Sequence, residues 1–321
     1  MRFSDLCEKE VVNVKDCRCL GSVRDLDIDK ECGRILALIV PGPGKYLGCF
    51  CRDSEFFTDL LVSNEKVTIK EANNFKRKYN YVNFNYNINY IPYTKDDIIN
   101  IYFNVLNNGW KEFAFYCPKE YKTCMDDVET VGNDNTLMSN INNYVSPFNS
   151  FENIKTTISS TREIKINVTP KYDDEMIKVL DNKVNKVITE LNVQELSDRE
   201  KIEKVHDYIL SSTVYDSESD NLDTTSAYGS LILGHAVCSG YSDAMALFLD
   251  KFNIPNLKIS SANHVWNLVY LDNNWLHLDL TWDDIENNRY RDNYFLITKE
   301  KLLSLDTKEH NFDNSFFVEG S

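Results

Sequence analysis

The most constraining stretch of this sequence is HVWNLVYLDNNWLHLDLTWDD, which runs from His264 to Asp284. Apolar residues alternate with other residues on both sides of a central Asp-Asn-Asn, a pattern typical of two strands joined by a tight turn. Successive side chains of a strand point to opposite faces of the sheet. One face therefore receives an almost wholly apolar set: Val265, Asn267, Val269, Leu271, Leu276, Leu278 and Leu280. We expect this face of the hairpin to pack on a hydrophobic core.

The opposite face of the hairpin carries imidazole and carboxylate groups together. It receives His264, Trp266, Leu268, Tyr270, Trp275, His277, Asp279 and Thr281. With a two-residue turn at Asp272-Asn273, His264 lies opposite Thr281 and diagonal to Asp279. Diagonal Cβ atoms are ~7–8 Å apart, which allows a hydrogen bond between an imidazole and a carboxylate. This register predicts a His264–Asp279 pair, and an odd-length loop without a bulge would break it.

A cysteine opens a predicted helix upstream of the hairpin. Cys238 begins the segment CSGYSDAMALFLDKF, whose apolar residues favour a helix. A thiol in the first turn of a helix lies at the positive end of the helix dipole, which favours the thiolate form. The first N–H groups of that helix have no intrahelical acceptor, so they can hold an oxyanion. Taken alone, a buried and inert cysteine is the more common alternative.

These three residues together form a candidate Cys-His-Asp triad. Cys238 is the expected nucleophile. His264 is expected to deprotonate it and later to protonate the leaving amine, while Asp279 holds the tautomer of the imidazole and stabilises the imidazolium. Because two partners fall in register, the triad outweighs the inert-thiol alternative for the cysteine.

The other four histidines are expected to have lesser roles. His277 shares the hairpin face but lies on the same strand as the aspartate, so a structural role is favoured. His206 lies beside apolar positions of a predicted helix and is expected to pack. His235 is assigned to a loop before the cysteine, and His310 has no visible partner in the sequence.

Further candidates for the site are aromatic. Tyr228 lies upstream of the cysteine as a second oxyanion donor, with a packing role about equally supported. Trp266 and Trp282, together with Trp275, are expected to wall the site and limit access of water. The Asp283–Asp284 pair is expected to cap or turn the strand end. No metal and no cofactor is predicted, since nothing has EF-hand spacing.

The segments around these residues resemble the transglutaminase-like cysteine enzymes, a branch of the papain-like fold. The resemblance rests on REKIEKVHDYILSSTVYD, VCSGYSDAMALFLDKFNIP and NHVWNLVYLDNNWLHLDLTWDD, over roughly residues 172–300. In that family a helix start bears the nucleophile, an H-x-W strand bears the histidine and a W-x-x-x-D-x-T-W strand bears the aspartate. The resemblance therefore implies a papain-like core with Cys238, His264 and Asp279 at the catalytic positions.

The first 57 residues differ from the rest of the chain. They hold six of the nine cysteines and no histidine. Short strand-like segments broken by Gly and Pro predict a small barrel or meander. The stretch from MRFSDL to LIVPGPGK resembles the PRC-barrel family in a shortened form, and in particular its sporulation-associated bacterial branch. Cys17-x-Cys19 and Cys49-x-Cys51 could build a four-thiolate metal site, but structural cysteines are favoured.

The remaining chain divides into two predicted regions. Residues 58–170 contain a predicted helix over 95–107, capped by Thr94, and strands at 111–117 and 162–168. Beyond this region helices precede the hairpin, one of them opened by a capping box at Ser197. We predict an α+β protein with a PRC-barrel-like segment at 1–57, an α+β region of unknown role at 58–170 and a transglutaminase-like catalytic domain at 171–321.

Composition limits the partners and the compartment. A formal net charge of −15 disfavours nucleic acid and anionic membranes, which bind basic patches. The N-terminus lacks the apolar core of a signal peptide, and the longest apolar run, 35–40, is too short to span a bilayer. The chain as written is expected to be cytoplasmic with reduced cysteines. Relatives of the catalytic part are, however, often exported or anchored.

Three functions fit these features. The leading hypothesis is a thiol acyl-transfer enzyme that forms a thioester on Cys238 with a peptide or side-chain amide. Water would resolve the thioester in a protease or deamidase, and an amine would resolve it in a cross-linking enzyme. By family resemblance alone, the substrate is a protein, a peptide or a peptidoglycan stem. The alternatives are a non-catalytic peptide- or protein-binding protein and a sporulation-associated structural protein.

Overall fold

The structure, a computed structural model, describes residues 90–218, 222–284 and 293–313, with Tyr81, Asn83, Phe84 and Tyr86. It also gives the backbone of short strands nearer both ends of the chain. The N-terminal C-x-C pairs lie outside the described side chains. Contacts divide the chain into two compact units, Met1–Lys66 and Val67–Ser321.

The described backbone of the first unit consists of short strands. These are β1 (Glu10–Val12), β2 (Cys19–Ser22), β3 (Asp25–Ile28) and β4 (Ile35–Ile39). Strands β1 and β2 pair antiparallel, and so do β3 and β4. Two antiparallel pairs agree with the strand-rich character that the Gly and Pro punctuation predicts.

The second unit begins with the short strand β5 (Phe75–Arg77) and then forms a mixed layer of helices and strands. Its elements are α1 (Lys95–Asn107), β6 (Glu112–Tyr116), α2 (Cys124–Gly132), α3 (Asn135–Asn142), β7 (Phe151–Ile158) and β8 (Glu163–Pro170). Helix α1 has the predicted bounds because the hydroxyl of Thr94 accepts from the N–H of Asp97 in a capping box. The three strands form an antiparallel sheet with β8 in the centre.

A disulfide closes the loop between β6 and α2. Cys117 and Cys124 are bonded, with their Cα atoms 5.7 Å apart. The guanidinium of Arg162 binds this loop by donating to the carbonyl oxygens of Cys117 at 2.9 Å and Pro118 at 2.9 Å. The expectation of reduced cysteines is therefore wrong for this pair, and a cytoplasmic location remains a prediction from the sequence alone.

The rest of the second unit carries the hairpin and the helices that surround it. Its elements are α4 (Asp174–Leu191), α5 (Asp198–Ser212), β9 (Val214–Tyr215), a π-helical turn (Gly229–Leu233), β10 (His235–Ala236), α6 (Cys238–Lys251), β11 (Asn256–Ser260), β12 (Val265–Leu271), β13 (Asn274–Leu278), α7 (Leu280–Asp283), α8 (Lys299–Leu305) and β14 (Phe317–Glu319). Strands β11, β12 and β13 form an antiparallel sheet in that order, β9 pairs parallel with β10, and β5 pairs with β14. Across the described residues, no helix is long and apolar enough to cross a membrane.

The hairpin has the predicted register. Leu271 pairs with Asn274, and the two intervening residues, Asp272 and Asn273, have φ angles of 51° and 63°. Positive φ at both central positions is the conformation that two-residue hairpin turns require, and Asn and Asp tolerate it. Strand β13 ends at Leu278, however, so Asp279 is the N-cap of α7 and not a strand residue as predicted.

Both faces of the β11–β12–β13 sheet are covered. The predicted core face packs with helices α4, α5 and α6 and includes Val269, Leu271, Leu278 and Leu280. The opposite face packs on the layer built from α1, β6 and β8 and includes Leu257, Ile259, Trp266, Leu268 and Trp275. This second layer explains why the hairpin face that bears imidazole and carboxylate is buried. The mixture of helix and strand confirms the predicted α+β class.

Candidate active site

Cys238 occupies the first turn of α6, and the preceding chain holds that turn in place. The N–H of Val237, the N-cap residue, donates to the carbonyl oxygen of Thr224 at 2.9 Å. A Cβ on Gly240 would lie 2.6 Å from that same oxygen, so only glycine fits against this segment. The thiol of Cys238 is free and half-buried. Its own N–H and that of Ser239 have no intrahelical acceptor, as at any helix start.

His264 lies just before β12 and joins the other two predicted residues. Its Nε2 is 2.5 Å from Oδ2 of Asp279, and its ring lies near enough to Cys238 for the thiol to affect the pKa of the imidazole. Because Nε2 faces the carboxylate, Nδ1 is the ring nitrogen left for the thiol. The ring stacks on Trp266, with 5.6 Å between centroids and 18° between planes, and only 6% of the residue is exposed. The structure thus places Cys238 near a His264–Asp279 pair.

The carboxylate of Asp279 accepts four hydrogen bonds, and the residue is 1% exposed. Its Oδ1 accepts from the N–H groups of Thr281 at 3.0 Å and Trp282 at 3.3 Å, which caps α7. Its Oδ2 accepts from Nε2 of His264 and from Nε2 of His310 at 2.9 Å. An N-cap bond on one oxygen fixes the plane of the carboxylate, so the other oxygen is aimed at the two imidazoles.

The charges of this cluster oppose the effect of burial on the pKa values of His264 and Asp279. Burial alone would lower the pKa of His264, but hydrogen bonds and attraction from Asp279 and Cys238 raise that pKa to about 10. Burial alone would raise the pKa of Asp279, but bonds and charge from His264 and His310 hold it below its usual range. The histidine therefore stays an imidazolium beside a carboxylate, which is the arrangement that stabilises a neighbouring thiolate.

Two of the three tryptophans line this cluster. Trp266 is 1% exposed, and its Nε1 donates to Nδ1 of His277 at 3.0 Å, which gives that histidine the structural role predicted for it. The ring of Trp282 lies 5.3 Å from that of His310. Trp275 instead contacts Tyr270 beside the hairpin turn, at the far end of the strands. The expectation that Trp275 walls the site is therefore wrong.

The tyrosine near the cysteine is not the one singled out in the sequence. Tyr228 is half-buried against the helical core, and no hydrogen bond from its hydroxyl to the triad occurs within the described residues. Its role as an oxyanion donor stays a prediction. Tyr215 is electrostatically coupled to the cysteine. Burial raises the pKa of Tyr215, and negative charge at Cys238, Glu309 and Asp279 raises it further. This residue is 45% exposed.

The histidines outside the triad are mostly paired with acids. His206 is buried and its Nε2 lies 3.1 Å from Oδ2 of Asp283, whose other oxygen, Oδ1, accepts from the N–H of Tyr294. Asp283 is thus a buried hydrogen-bond partner, and not merely a turn residue as expected. His235 faces Asp216 at 3.4 Å. The other acid of the expected cap, Asp284, accepts a hydrogen bond from Tyr241.

His310 was the histidine without a visible partner, and that expectation is wrong. It has no solvent exposure, and its two ring nitrogens contact two carboxylates, Asp279 at 2.9 Å and Asp306 at 3.0 Å. Because 31 residues separate it from Asp279, neither periodicity nor local spacing connects them in the sequence.

The same cluster meets the distance condition for a metal site. One donor atom from each of His264, Asp279 and His310 lies within 4.8 Å of the others. Both imidazole Nε2 atoms, however, face a single carboxylate oxygen at hydrogen-bonding distance, and each needs its proton to do so. Hydrogen bonding therefore accounts for the convergence, and we assign no metal to it.

A second buried polar network fixes the helix of the cysteine to the sheet of the histidine. Lys258 on β11 donates to Oδ1 of Asp243 on α6 at 2.6 Å, and both side chains are almost fully buried. The other oxygen of Asp243 accepts from the hydroxyl of Tyr172 at 3.0 Å. That hydroxyl in turn accepts from the N–H of Ala227 at 2.8 Å. Sequence patterns gave no sign of this network, although it sets the position of α6.

Comparisons with known proteins agree with the two sequence resemblances. The transglutaminase-like superfamily matches residues 185–280, a span that contains the cysteine, the histidine and the aspartate of the cluster. The PRC-barrel domain matches residues 1–67. The C-terminal half therefore carries a transglutaminase-like domain, as the motifs predicted, and the N-terminal segment carries a PRC-barrel domain.

Individual relatives cover only parts of the chain. The "Probable sporulation protein YlmC" of Bacillus subtilis (strain 168) is 44% identical over 53 residues, which are 16% of this chain and 65% of that protein. A crystal structure of a TGase is 16% identical and covers 43% of this chain and 46% of its own, with a TM-score of 0.33. A candidate cysteine protease from Cytophaga hutchinsonii is 15% identical, with coverages of 40% and 61% and a TM-score of 0.27. The chain spans less than two thirds of each, and at these TM-scores the two structures add nothing to the family assignment.

Proposed function

We propose that this protein is a thiol acyl-transfer enzyme in which Cys238, His264 and Asp279 form the catalytic triad. The single observation that carries the proposal is the buried imidazole of His264, which lies near the thiol of Cys238 and has its Nε2 2.5 Å from Oδ2 of Asp279. The proposed substrate is a peptide bond or a side-chain carboxamide of a protein, a peptide or a peptidoglycan stem. The superfamily match supports this class of substrate but does not select among its members.

In the acylation half-reaction, the thiolate of Cys238 attacks the carbonyl carbon of the amide. The carbonyl oxygen becomes an oxyanion, which the free N–H groups at the start of α6 can stabilise. The imidazolium of His264 then gives its Nδ1 proton to the nitrogen of the leaving group. The C–N bond breaks, an amine or ammonia departs, and an acyl thioester on Cys238 remains.

In the second half-reaction, the neutral His264 removes a proton from the incoming nucleophile. Water yields a carboxylic acid, and a primary amine yields a new amide. In both cases the C–S bond breaks, and the thiolate and imidazolium return. We assign the approach of either nucleophile to the surface at Tyr215, a residue that is 45% exposed and whose pKa is raised in part by Cys238.

A non-catalytic binding role is the alternative. The PRC-barrel domain and the similarity to a sporulation protein favour a partner-binding or structural task for the N-terminal segment. They do not account for a buried triad in the other half of the chain, because binding alone needs no imidazolium beside a half-buried thiol.

Alkylation with iodoacetamide between pH 4 and pH 10, followed by peptide mapping, tests the proposal. Cys238 is expected to react at pH 6.5, and a His264→Asn variant is expected to react about 10²-fold more slowly there. The reason is that a thiol without an imidazolium neighbour is only about 1% ionised at that pH. Equal rates for the two proteins at pH 6.5 would contradict the triad. A second cysteine of the chain serves as the internal reference for reagent quality.

A further inference from the structure

The carboxylate of the triad is shared between two histidines. Nε2 of His310 lies 2.9 Å from the same Oδ2 of Asp279 that Nε2 of His264 contacts. The two rings are 5.3 Å apart and nearly perpendicular, at 83°. A Cys-His-Asp triad needs only one imidazole on its carboxylate, and the imidazole of His310 is therefore an additional partner of Asp279. His310 also lies 30 residues beyond the end of the superfamily match at residue 280.

His310 lies between the carboxylates of Asp279 and Asp306, and the side chain of Asp306 also caps the turn that carries His310. Oδ2 of Asp306 lies 3.0 Å from Nδ1 of His310 and also accepts from the N–H groups of Glu309 at 2.8 Å and His310 at 3.1 Å. Its Oδ1 accepts from the N–H of Lys308 at 3.2 Å. Burial opposes ionisation of Asp306, but these bonds outweigh it and lower its pKa to about 2. The turn therefore presents an ionised carboxylate to the far side of the ring.

The hydrogen-bond geometry favours a doubly protonated ring for His310. An ionised carboxylate only accepts hydrogen bonds, so each nitrogen that faces one must donate a proton. Both ring nitrogens face carboxylates, which leaves neither as an acceptor. Aromatic rings enclose the imidazolium: Trp266 at 4.9 Å, Trp282 at 5.3 Å and Tyr294 at 5.4 Å. With no exposure to solvent, this charge acts on the triad with little screening.

We propose that His310 is a positioning residue of the triad, which as a buried imidazolium fixes Asp279 and limits how strongly that carboxylate holds the proton of His264. The proposal rests on the function proposed above. Its physical basis is that a carboxylate shared between two cations binds each less strongly than it would bind one alone. His310 thereby keeps the imidazolium of His264 acidic enough to give its proton to a leaving amine.

Other titratable groups around the two rings do not replace this role. Cys238 lies near His264 and helps to raise the pKa of that imidazole. Burial, with help from neighbouring carboxylates, raises the pKa of Tyr294 to about 12, and the pKa of Tyr215 is also raised. Both phenols are therefore neutral over most of the pH range of the alkylation experiment. Glu309 is exposed at the edge of the cluster, where solvent screens its charge.

The pH dependence of Cys238 alkylation measures this coupling. Over the 5.3 Å between ring centroids, one positive charge is worth roughly 2 pH units at an effective dielectric constant of about 20. In His310→Gln the amide can still donate to Asp279 but carries no charge. We expect both the acid and the alkaline midpoints of its rate profile to move upward by at least about 1 pH unit.

A second variant tests the same charge without changing the imidazole. Asp306→Asn removes the carboxylate that obliges Nδ1 of His310 to donate, while its side-chain oxygen still accepts from the backbone of the turn. We expect its profile to shift in the same direction as that of His310→Gln. Lys301→Gln is the matched control, because it removes one positive charge at an exposed position of α8, close by in the sequence. Its profile should coincide with that of the unmodified protein.

Three outcomes separate the claims. Upward shifts in His310→Gln and Asp306→Asn, with none in Lys301→Gln, support the positioning role. A lower plateau rate with unmoved midpoints in both folded variants means that His310 is merely structural, and this overturns the inference. If Cys238 is alkylated at the same rate at pH 6.5 in the unmodified protein and in His264→Asn, the proposed function itself fails. Far-UV circular dichroism establishes that each variant is folded before its profile is compared.

Discussion

The buried ion pair between Lys258 and Asp243 should control both the stability of the domain and the reactivity of its cysteine. Asp243 lies on α6, five residues after Cys238, and Lys258 lies on β11, next to the strand that follows His264. The pair spans 2.6 Å, with 6% and 2% of the two side chains exposed. It therefore connects the element that carries the nucleophile to the sheet that carries the base.

The expected cost follows from what each substitution leaves behind. Asp243→Asn leaves a buried ammonium without its counter-ion, which costs about 3–5 kcal/mol of unfolding free energy. Lys258→Met leaves a carboxylate that keeps its bond from Tyr172, so we expect the lower end of that range. The Asp243→Leu/Lys258→Met double variant leaves no buried charge. It should cost less than the sum of the single changes by about 2 kcal/mol or more.

Urea denaturation followed by circular dichroism gives these free energies, and the rate of Cys238 alkylation at pH 6.5 gives the effect on the site. A displacement of the helix by about 1 Å can lower reactivity about 10²-fold, so the single variants should lose rate as well as stability. The exposed pair Lys186–Glu190, at 3.7 Å on α4, is the control and should contribute less than about 1 kcal/mol. Single variants that each cost under about 1 kcal/mol, or a double variant equal to their sum, would refute the reasoning.

Three further changes test the start of α6, the ionisation of His264 and the disulfide between Cys117 and Cys124. Gly240→Ala places a Cβ 2.6 Å from the carbonyl oxygen of Thr224, so it should destabilise the domain by about 1–3 kcal/mol in urea and slow the alkylation of Cys238. Because the folded pKa of His264, about 10, exceeds the unfolded value of about 6.5, its stabilisation is complete below pH 6.5 and is lost as pH rises through 10. Thermal midpoints should therefore fall across that range in the native protein but not in His264→Asn; parallel curves would exclude this linkage. A Cys117→Ser/Cys124→Ser variant opens an eight-residue loop and should lose about 2–3 kcal/mol, with the alkylation rate unchanged; a large loss of rate would show that the loop and the site are coupled.

Local sequence signals predicted the parts of the site that depend on short-range physics. The hairpin register followed from the turn preference of Asp272-Asn273 and the two-residue period of its strands. The helix starts followed from capping residues, with Thr94 and Ser197 in capping boxes. Cys238 likewise stands at the first position of α6 as expected.

The parts that sequence reasoning missed depend on tertiary contacts. His310 meets Asp279 only because the chain after α8 folds back over the hairpin face, and nothing in the spacing signals that return. The buried Lys258–Asp243 pair lies in segments whose apolar pattern hides a charge. Aspartate is a preferred N-cap, so the sequence from Asp279 to Asp284 is also compatible with the short helix that the structure has in place of a longer strand.

The most direct test of the central claim is to observe the acyl thioester. The protein is mixed with p-nitrophenyl acetate, an activated acyl donor, and is then quenched in acid and mapped by mass spectrometry. We expect a burst of p-nitrophenol and an acetyl group on Cys238 that a primary amine removes, with neither in Cys238→Ala and only slow formation in His264→Asn. Acetylation confined to lysines or to other cysteines, at equal rates in all three proteins, would contradict a Cys238-based acyl-transfer site.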